Sequence, residues 1–256
     1  MTLPPQSAGD FHNYFGPQAA DYVVYRPRYP QSLFTYLATA VRSTRLAWDC
    51  ATGNGQAAIG RAHRFAKVYA TDPSADMIAN AIEHPRVTYT VAKYQTPLPD
   101  ASVSLITVAQ ALHWFDIDAF IKEARRVLEP DGVFAAFCYS RCRLDEELDG
   151  LVEHFFSVTV GSYWPPERRL ADEGYRTIAL PLDEMLAPPC EMLEEWTLNS
   201  FLRFVRTWSA VVRCIAAKGE EPVVAFESEL RSLWGPPEAK RRIRWPMHFR
   251  VGQLRQ

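Results

Sequence analysis

The sequence predicts an α/β fold: an open, doubly wound, mostly parallel sheet with a C-terminal helical elaboration. Two observations carry the prediction. Short apolar runs alternate with helical segments from about residue 45 to residue 138, the pattern of βαβ units whose strands are covered on both faces. The first run empties into the turn Thr52-Gly-Asn-Gly55, and the next run ends on an acid, Asp72. In an open α/β sheet both positions fall at strand carboxyl ends, where ligands bind.

The elements follow in order. Residues 1–30 are polar and aromatic and end in Tyr25-Arg-Pro-Arg-Tyr-Pro30. Pro30 stands where a first-turn proline would, ahead of the helical face Leu33, Phe34, Leu37 and Val41. Strands are expected at 45–50, 67–71, 86–91, 103–109 and 133–138. Helices are expected at 56–65, at 74–83 with Ser74 as N-cap, and at 116–128 with Phe120, Ile121, Ala124 and Val127 on one face. Beyond Tyr139 the chain reads as mostly helical to residue 240, with breaks at Pro165-Pro166, Pro188-Pro189 and Gly235-Pro236-Pro237. Further strands are expected near 176–182 and 242–251. The resulting division is an N-terminal segment (1–30), an α/β core (31–140), a helical elaboration (141–240) and a final strand returning to the sheet (241–256).

Composition narrows the function. With 28 Lys and Arg against 30 Asp and Glu, the net charge is -2, without the basic excess of a nucleic-acid binder. Five cysteines with no CxxC pair read as reduced thiols and predict no metal site. The N-terminus has no cationic start followed by an apolar stretch, and no apolar run reaches the ~20 residues of a membrane helix. A cytoplasmic protein with no membrane or nucleic-acid partner is the expectation; nothing in the sequence sets its oligomeric state.

Gly53 and Gly55 allow a sharp turn and close approach of a ligand to the backbone. A carboxylate at Asp72 is placed to accept both hydroxyls of a ribose. Gly53-x-Gly55-x-x-Ala58 with Asp72 downstream also satisfies a loose dinucleotide fingerprint, so an NAD-dependent oxidoreductase is one alternative. Against it stands Asp49, four residues before Gly53, where negative charge suits an ammonium or sulfonium better than a pyrophosphate.

The ordered set Asp49-x-x-Thr-Gly-x-Gly-Gln56, Asp72, Val108-Ala-Gln-Ala-Leu-His-Trp-Phe-Asp116 and Arg126-Val-Leu-Glu-Pro-Asp-Gly132 resembles the successive motifs of class I S-adenosylmethionine-dependent methyltransferases. The His113-Trp-Phe-Asp116 segment, Tyr25-Arg-Pro-Arg-Tyr-Pro30 and Thr207-Trp-Ser-Ala210 are most similar to the type-11 subgroup that includes trans-aconitate methyltransferases. The resemblance implies a seven-stranded Rossmann-like sheet and S-adenosylmethionine as cofactor, with S-adenosylhomocysteine as product. It implies that Asp49, Ala51, Thr52, Gly53, Gly55 and Gln56 surround the methionyl part, and that Asp72 binds the ribose. Pro73, Met77 and Tyr94 would lie at the adenine, Ala109 and Gln110 under the sulfonium, and Arg26 at the cofactor carboxylate as the N-terminal segment closes as a lid.

Four positions depart from the family pattern. Ala51 replaces a glycine and is tolerable there if its φ is negative; Tyr94 and Ser104 stand where acids are usual; Asp131 replaces a turn glycine. These departures keep open a protein that binds the cofactor without turnover. For the acceptor, a small molecule, the candidates are Tyr25, Arg28, His113, Trp114 and Tyr139, with His113 as base or orienter. A carboxylate acceptor, methylated on oxygen, needs no base at all.

Overall fold

The computed structural model describes residues 26–255. The sheet runs β3-β2-β1-β4-β5-β8-β6, built from β1 (Leu46–Cys50), β2 (Lys67–Asp72), β3 (Val87–Val91), β4 (Val103–Ala109), β5 (Leu128–Tyr139), β6 (Leu182–Glu184) and β8 (Arg241–Leu254). The first five strands are parallel, and β8 and β6 close the sheet antiparallel. Alternate residues feed opposite cores. Ala47, Leu105 and Ala135 face one cluster, and Trp48, Ile106 and Phe134 the other.

Helices α1 (Gln31–Thr39) and α2 (Gln56–Ala62) cover the first face. After the short α3 (Ala75–Ala79), α4 (Ile117–Val127) packs Phe120, Ala124 and Val127 into the second cluster. The cap forecast from sequence is made, Ser74 accepting from Met77 N, and the structure adds a second, Asp116 accepting from Ala119 N. Pro30 occupies the N-cap of α1 rather than its first turn. Helix α3 spans half of the 74–83 segment, because Asn80 already leaves helical geometry.

The second half of the chain departs further. Helices α5 (Glu146–His154), α6 (Arg168–Asp172), α7 (Leu198–Arg206), α8 (Ser209–Lys218) and α9 (Glu221–Trp234) are present. Between them lie β6 and the strand β7 (Glu191–Trp196), the second of which the sequence reading of 141–240 does not contain. The strand expected at 176–182 begins only at Leu182; the residues before it form the turn after Gly174 and Tyr175, both at positive φ. Strand β8 serves three partners, meeting β6 at its end. Its first half pairs with β7 as far as Pro246, and from Met247 it pairs with β5. Pro246 sits at the change of partner, where its missing N–H breaks no ladder bond of the main sheet.

Candidate active site

At the end of β1 the chain makes three left-handed residues in five, Ala51 (φ 56°), Gly53 (φ 57°) and Gly55 (φ 88°). The condition on which Ala51 was tolerable, a negative φ, is therefore not met; its methyl is held in a region costing about 1 kcal/mol or more. Bonds from Thr52 N to the Thr71 carbonyl (2.9 Å) and from Gly55 N to the Thr52 carbonyl (3.0 Å) over-determine the turn. The two glycines differ in use. A Cβ at Gly53 would meet open space, whereas one at Gly55 would collide with the Tyr89 hydroxyl. Gly53 leaves its backbone face to a ligand, while Gly55 makes room for a side chain of the protein.

Asp72, at the end of β2, is 6% exposed and accepts from Gly53 N (2.8 Å) and Ser74 N (2.9 Å), one on each oxygen. Each oxygen keeps a lone pair for a ligand hydroxyl. Burial raises the Asp72 carboxyl above its ordinary value, opposed by those two backbone donors.

Asp49 does not reach the cavity. It is fully buried: Oδ1 takes Arg61 (2.8 Å) and Thr107 (2.9 Å), and Oδ2 takes Thr52 (2.6 Å). Its charge neutralises the fully buried Arg61 guanidinium and holds the loop from behind. Breaking such a pair leaves an uncompensated buried charge.

At the end of β4, Gln110 takes φ 54° and its side chain replaces the missing ladder, Oε1 accepting from Tyr139 N at 2.8 Å. This clamp fixes the β4 and β5 termini side by side. Arg26 donates to the Tyr139 hydroxyl (2.9 Å) and to the Thr207 carbonyl (3.3 Å), tying the N-terminal segment to both halves of the molecule.

Two cavities meet at this clamp and share Arg26, Gln110, Trp114 and Tyr139 as a common wall. The first is lined by the glycine turn from Ala51 to Asn54, by Gln56, Asp72, Met77 and Ala109. The second lies under the elaboration, with Phe156, Trp164, Phe204 and Trp208 as aromatic walls. It carries four arginines, Arg26, Arg141, Arg143 and Arg168, against two acids, Asp149 and Glu153. Arg168 and Arg141 bracket the Phe156 ring, at 5.7 and 4.7 Å from its centroid.

The structure thus brings Arg26, Ala51, Thr52, Gly53, Gln56, Asp72, Met77, Ala109, Gln110, Trp114 and Tyr139 to one cavity, and His113 to the other. Other expected residues fall elsewhere. Tyr94 is 8% exposed and packs on Phe115 and Phe120, its hydroxyl accepting from Asp116 N at 2.9 Å, so it belongs to the core. Pro73 and Gly55 are off the cavity wall. Arg28 is exposed, and its backbone bonds Glu194 rather than an acceptor cavity. Tyr25 lies outside the described residues. Ser104 and Asp131 are remote: Ser104 bonds the Leu46 carbonyl (2.9 Å), and Asp131 pairs with Arg42 on the surface (2.8 Å).

His113, 9% exposed on the second cavity, is held by burial at about 3, far below the range of a working base. Burial also raises the Cys142 thiol to about 12. For Glu153 burial acts upward, but bonds from Ser157 and Arg141 prevail and keep its carboxyl below the ordinary value. Sequence reasoning missed Arg141, Arg143 and Arg168, whose neighbours in sequence give no sign that they converge. Among the described residues no helix is long and apolar enough to cross a membrane, and no three His, Cys, Asp or Glu side chains cluster as a metal site would require.

Comparison with known proteins bears on the family and the fold. Residues 48–136 match the model of a methyltransferase domain. A Dictyostelium discoideum protein described as a methyltransferase is 30% identical over 90% of this chain and 89% of its own length. A Saccharomyces cerevisiae protein described as an S-adenosylmethionine-dependent methyltransferase is 27% identical over 84% of this chain and 88% of its own. A solved structure from Anaeromyxobacter dehalogenans, described as a type II methyltransferase, superposes with a TM-score of 0.85 at 43% identity, covering 91% of this chain and all of that one.

Proposed function

The chain belongs to the class I S-adenosylmethionine-dependent methyltransferases, and from that premise we propose that it methylates a carboxylate oxygen of a small acid held in the arginine-lined cavity. The observation that carries the reading is the pairing of a cationic cavity with the lack of a neutral-range base on its described walls. His113 is held at about 3 and Cys142 at about 12, and Glu153 is ion-paired and below its ordinary value. Phenol and amine acceptors usually benefit from a base. A carboxylate arrives already deprotonated.

The glycine-turn cavity fits the cofactor: Asp72 presents two free lone pairs at the end of β2, and Gly53 leaves open backbone space beside it. Asp72 would hold the ribose hydroxyls, Met77 would lie against the adenine, and Thr52, Gln56 and Arg26 would hold the methionyl end. When bound, S-adenosylmethionine supplies a methyl group on a sulfonium, already activated for in-line displacement. The protein's part is alignment and exclusion of water. Gln110, pinned by Tyr139, and Trp114 form part of the wall that the two cavities share. The arginines neutralise the acceptor, and the elaboration covers it.

The test is transfer of labelled methyl from S-adenosylmethionine to a panel of small carboxylic acids, phenols and amines. The similarity to the trans-aconitate subgroup puts di- and tricarboxylic acids first in the panel. The expected product releases its label as methanol on mild alkaline treatment, as a methyl ester does. An alkali-stable methyl on nitrogen or a phenolic oxygen would overturn the carboxylate assignment.

A further inference from the structure

We propose that Tyr175 is a positioning residue that fixes His113 as a neutral Nε2–H donor, aimed at the acceptor carboxylate oxygen that does not attack the methyl group. The acceptor half of this statement rests on the carboxylate reading above; the tautomer half does not.

Tyr175 stands at φ 60° directly after Gly174 at φ 65°. For a bulky side chain this is a true outlier, and such strain persists only where the surroundings enforce it. Both sides of its backbone are tied: its N–H bonds the Leu170 carbonyl (2.8 Å), and its carbonyl takes Arg250 (2.6 Å). The outcome is a phenol with no solvent exposure, stacked beside His113 at 6.0 Å with its hydroxyl 3.2 Å from Nδ1.

The direction of that bond follows from what surrounds the hydroxyl. Burial keeps the Tyr175 phenol protonated, well above its ordinary value, so its hydroxyl has a hydrogen to give. The phenolic hydrogen then chooses between the Cys138 sulfur and His113 Nδ1. A thiol sulfur is a weak acceptor and an unprotonated imidazole nitrogen a good one. Cys138 donates its own S–H to the Ala171 carbonyl at 3.3 Å, so towards the phenol it offers only its weakly accepting sulfur. The hydrogen therefore goes to Nδ1, and the ring proton resides on Nε2.

Among the described residues no protein group engages Nε2, and His113 lines the arginine-rich cavity. A neutral donor has a use there that a further cation lacks. It orients one carboxylate oxygen without drawing down the nucleophilicity of the other as strongly as a second full charge would.

Histidine-selective 15N labelling of the full chain tests the tautomer directly, with the His113 signals assigned by their loss in His113→Gln. The expected wild-type spectrum shows a non-protonated δ nitrogen and a protonated ε nitrogen across neutral pH. Tyr175→Phe keeps the buried ring and is expected to mix the tautomers, to raise acceptor KM on the order of 10-fold, and to leave kcat and S-adenosylhomocysteine affinity within about twofold. A wild-type proton on Nδ1 would overturn the proposal even if Tyr175→Phe failed to fold. So would a Tyr175→Phe protein with unchanged tautomer and KM. An Nε2–H tautomer with an alkali-stable methyl product would keep the positioning role of Tyr175 and remove only the carboxylate.

Discussion

The two cavities that meet at Gln110 are built in different ways. The cofactor side is made mainly of backbone: three left-handed residues in the turn after β1, and a carboxylate anchored by two amide N–H groups at the end of β2. Its parts lie close in sequence and at fixed places in a parallel sheet, so a short motif specifies it. The acceptor side is made of side chains from 26, 113, 139–168, 204–209 and 245, gathered by packing of the elaboration. One is a scaffold that a family can keep, the other a surface that can be re-lined without touching the sheet.

Substitutions can break or sharpen that contrast. The largest effect is expected at Asp49, which serves the cofactor side from behind. Asp49→Ala strands the Arg61 guanidinium in the core, and a loss of about 3–5 kcal/mol in unfolding free energy is predicted by denaturant titration. Next is Asp72→Ala, predicted to weaken S-adenosylhomocysteine binding by about 1.5–3 kcal/mol in calorimetry while acceptor KM stays within roughly twofold. Arg168→Met is its mirror image. Acceptor KM should rise by roughly 10-fold, from loss of a charge-assisted contact, with cofactor affinity unchanged.

A smaller effect concerns pH. Burial holds folded His113 at about 3 against an ordinary value of 6.5. Between those values the unfolded chain binds the additional proton, so stability falls as pH drops from 6.5 towards 3. His113→Gln removes that contribution, and its melting temperature should depend less steeply on pH below 6.5 than the parent's. The smallest effect is expected at Ala51. Glycine there relieves the left-handed methyl but adds freedom to the unfolded chain, so Ala51→Gly should gain at most about 1 kcal/mol. A loss instead would mean that the methyl makes a contact outweighing the strain.

Legibility in the sequence followed the same division. The alternation of apolar runs and helices predicted the five parallel strands, because each buried strand needs its own continuous apolar run. Ser74 was readable as a cap, because capping acts over three residues. Strand β7 was not: Glu191–Trp196 is half charged and pairs only with the first half of β8, a partner about fifty residues away. Asp49 was placed in the site on its charge and on the family resemblance. Its true partner, Arg61, is one helix further on, and nothing local shows that their side chains meet inside the core. Tyr94 was expected at the adenine, but the core under α4 takes its ring. The convergence of Arg141 and Arg168 on Phe156 depends on how the π-helical turn Phe155–Thr159 and α6 fold back over the sheet, which no periodicity encodes.

The division between the two cavities is tested most directly by a crystal structure with S-adenosylhomocysteine bound. The account predicts ribose hydroxyls on the Asp72 carboxylate and the sulfur at the wall formed by Gln110, Trp114 and Tyr139, facing the arginine-lined cavity. Ligand seated among Arg141, Arg143 and Arg168, or a ribose that makes no contact with Asp72, would contradict it.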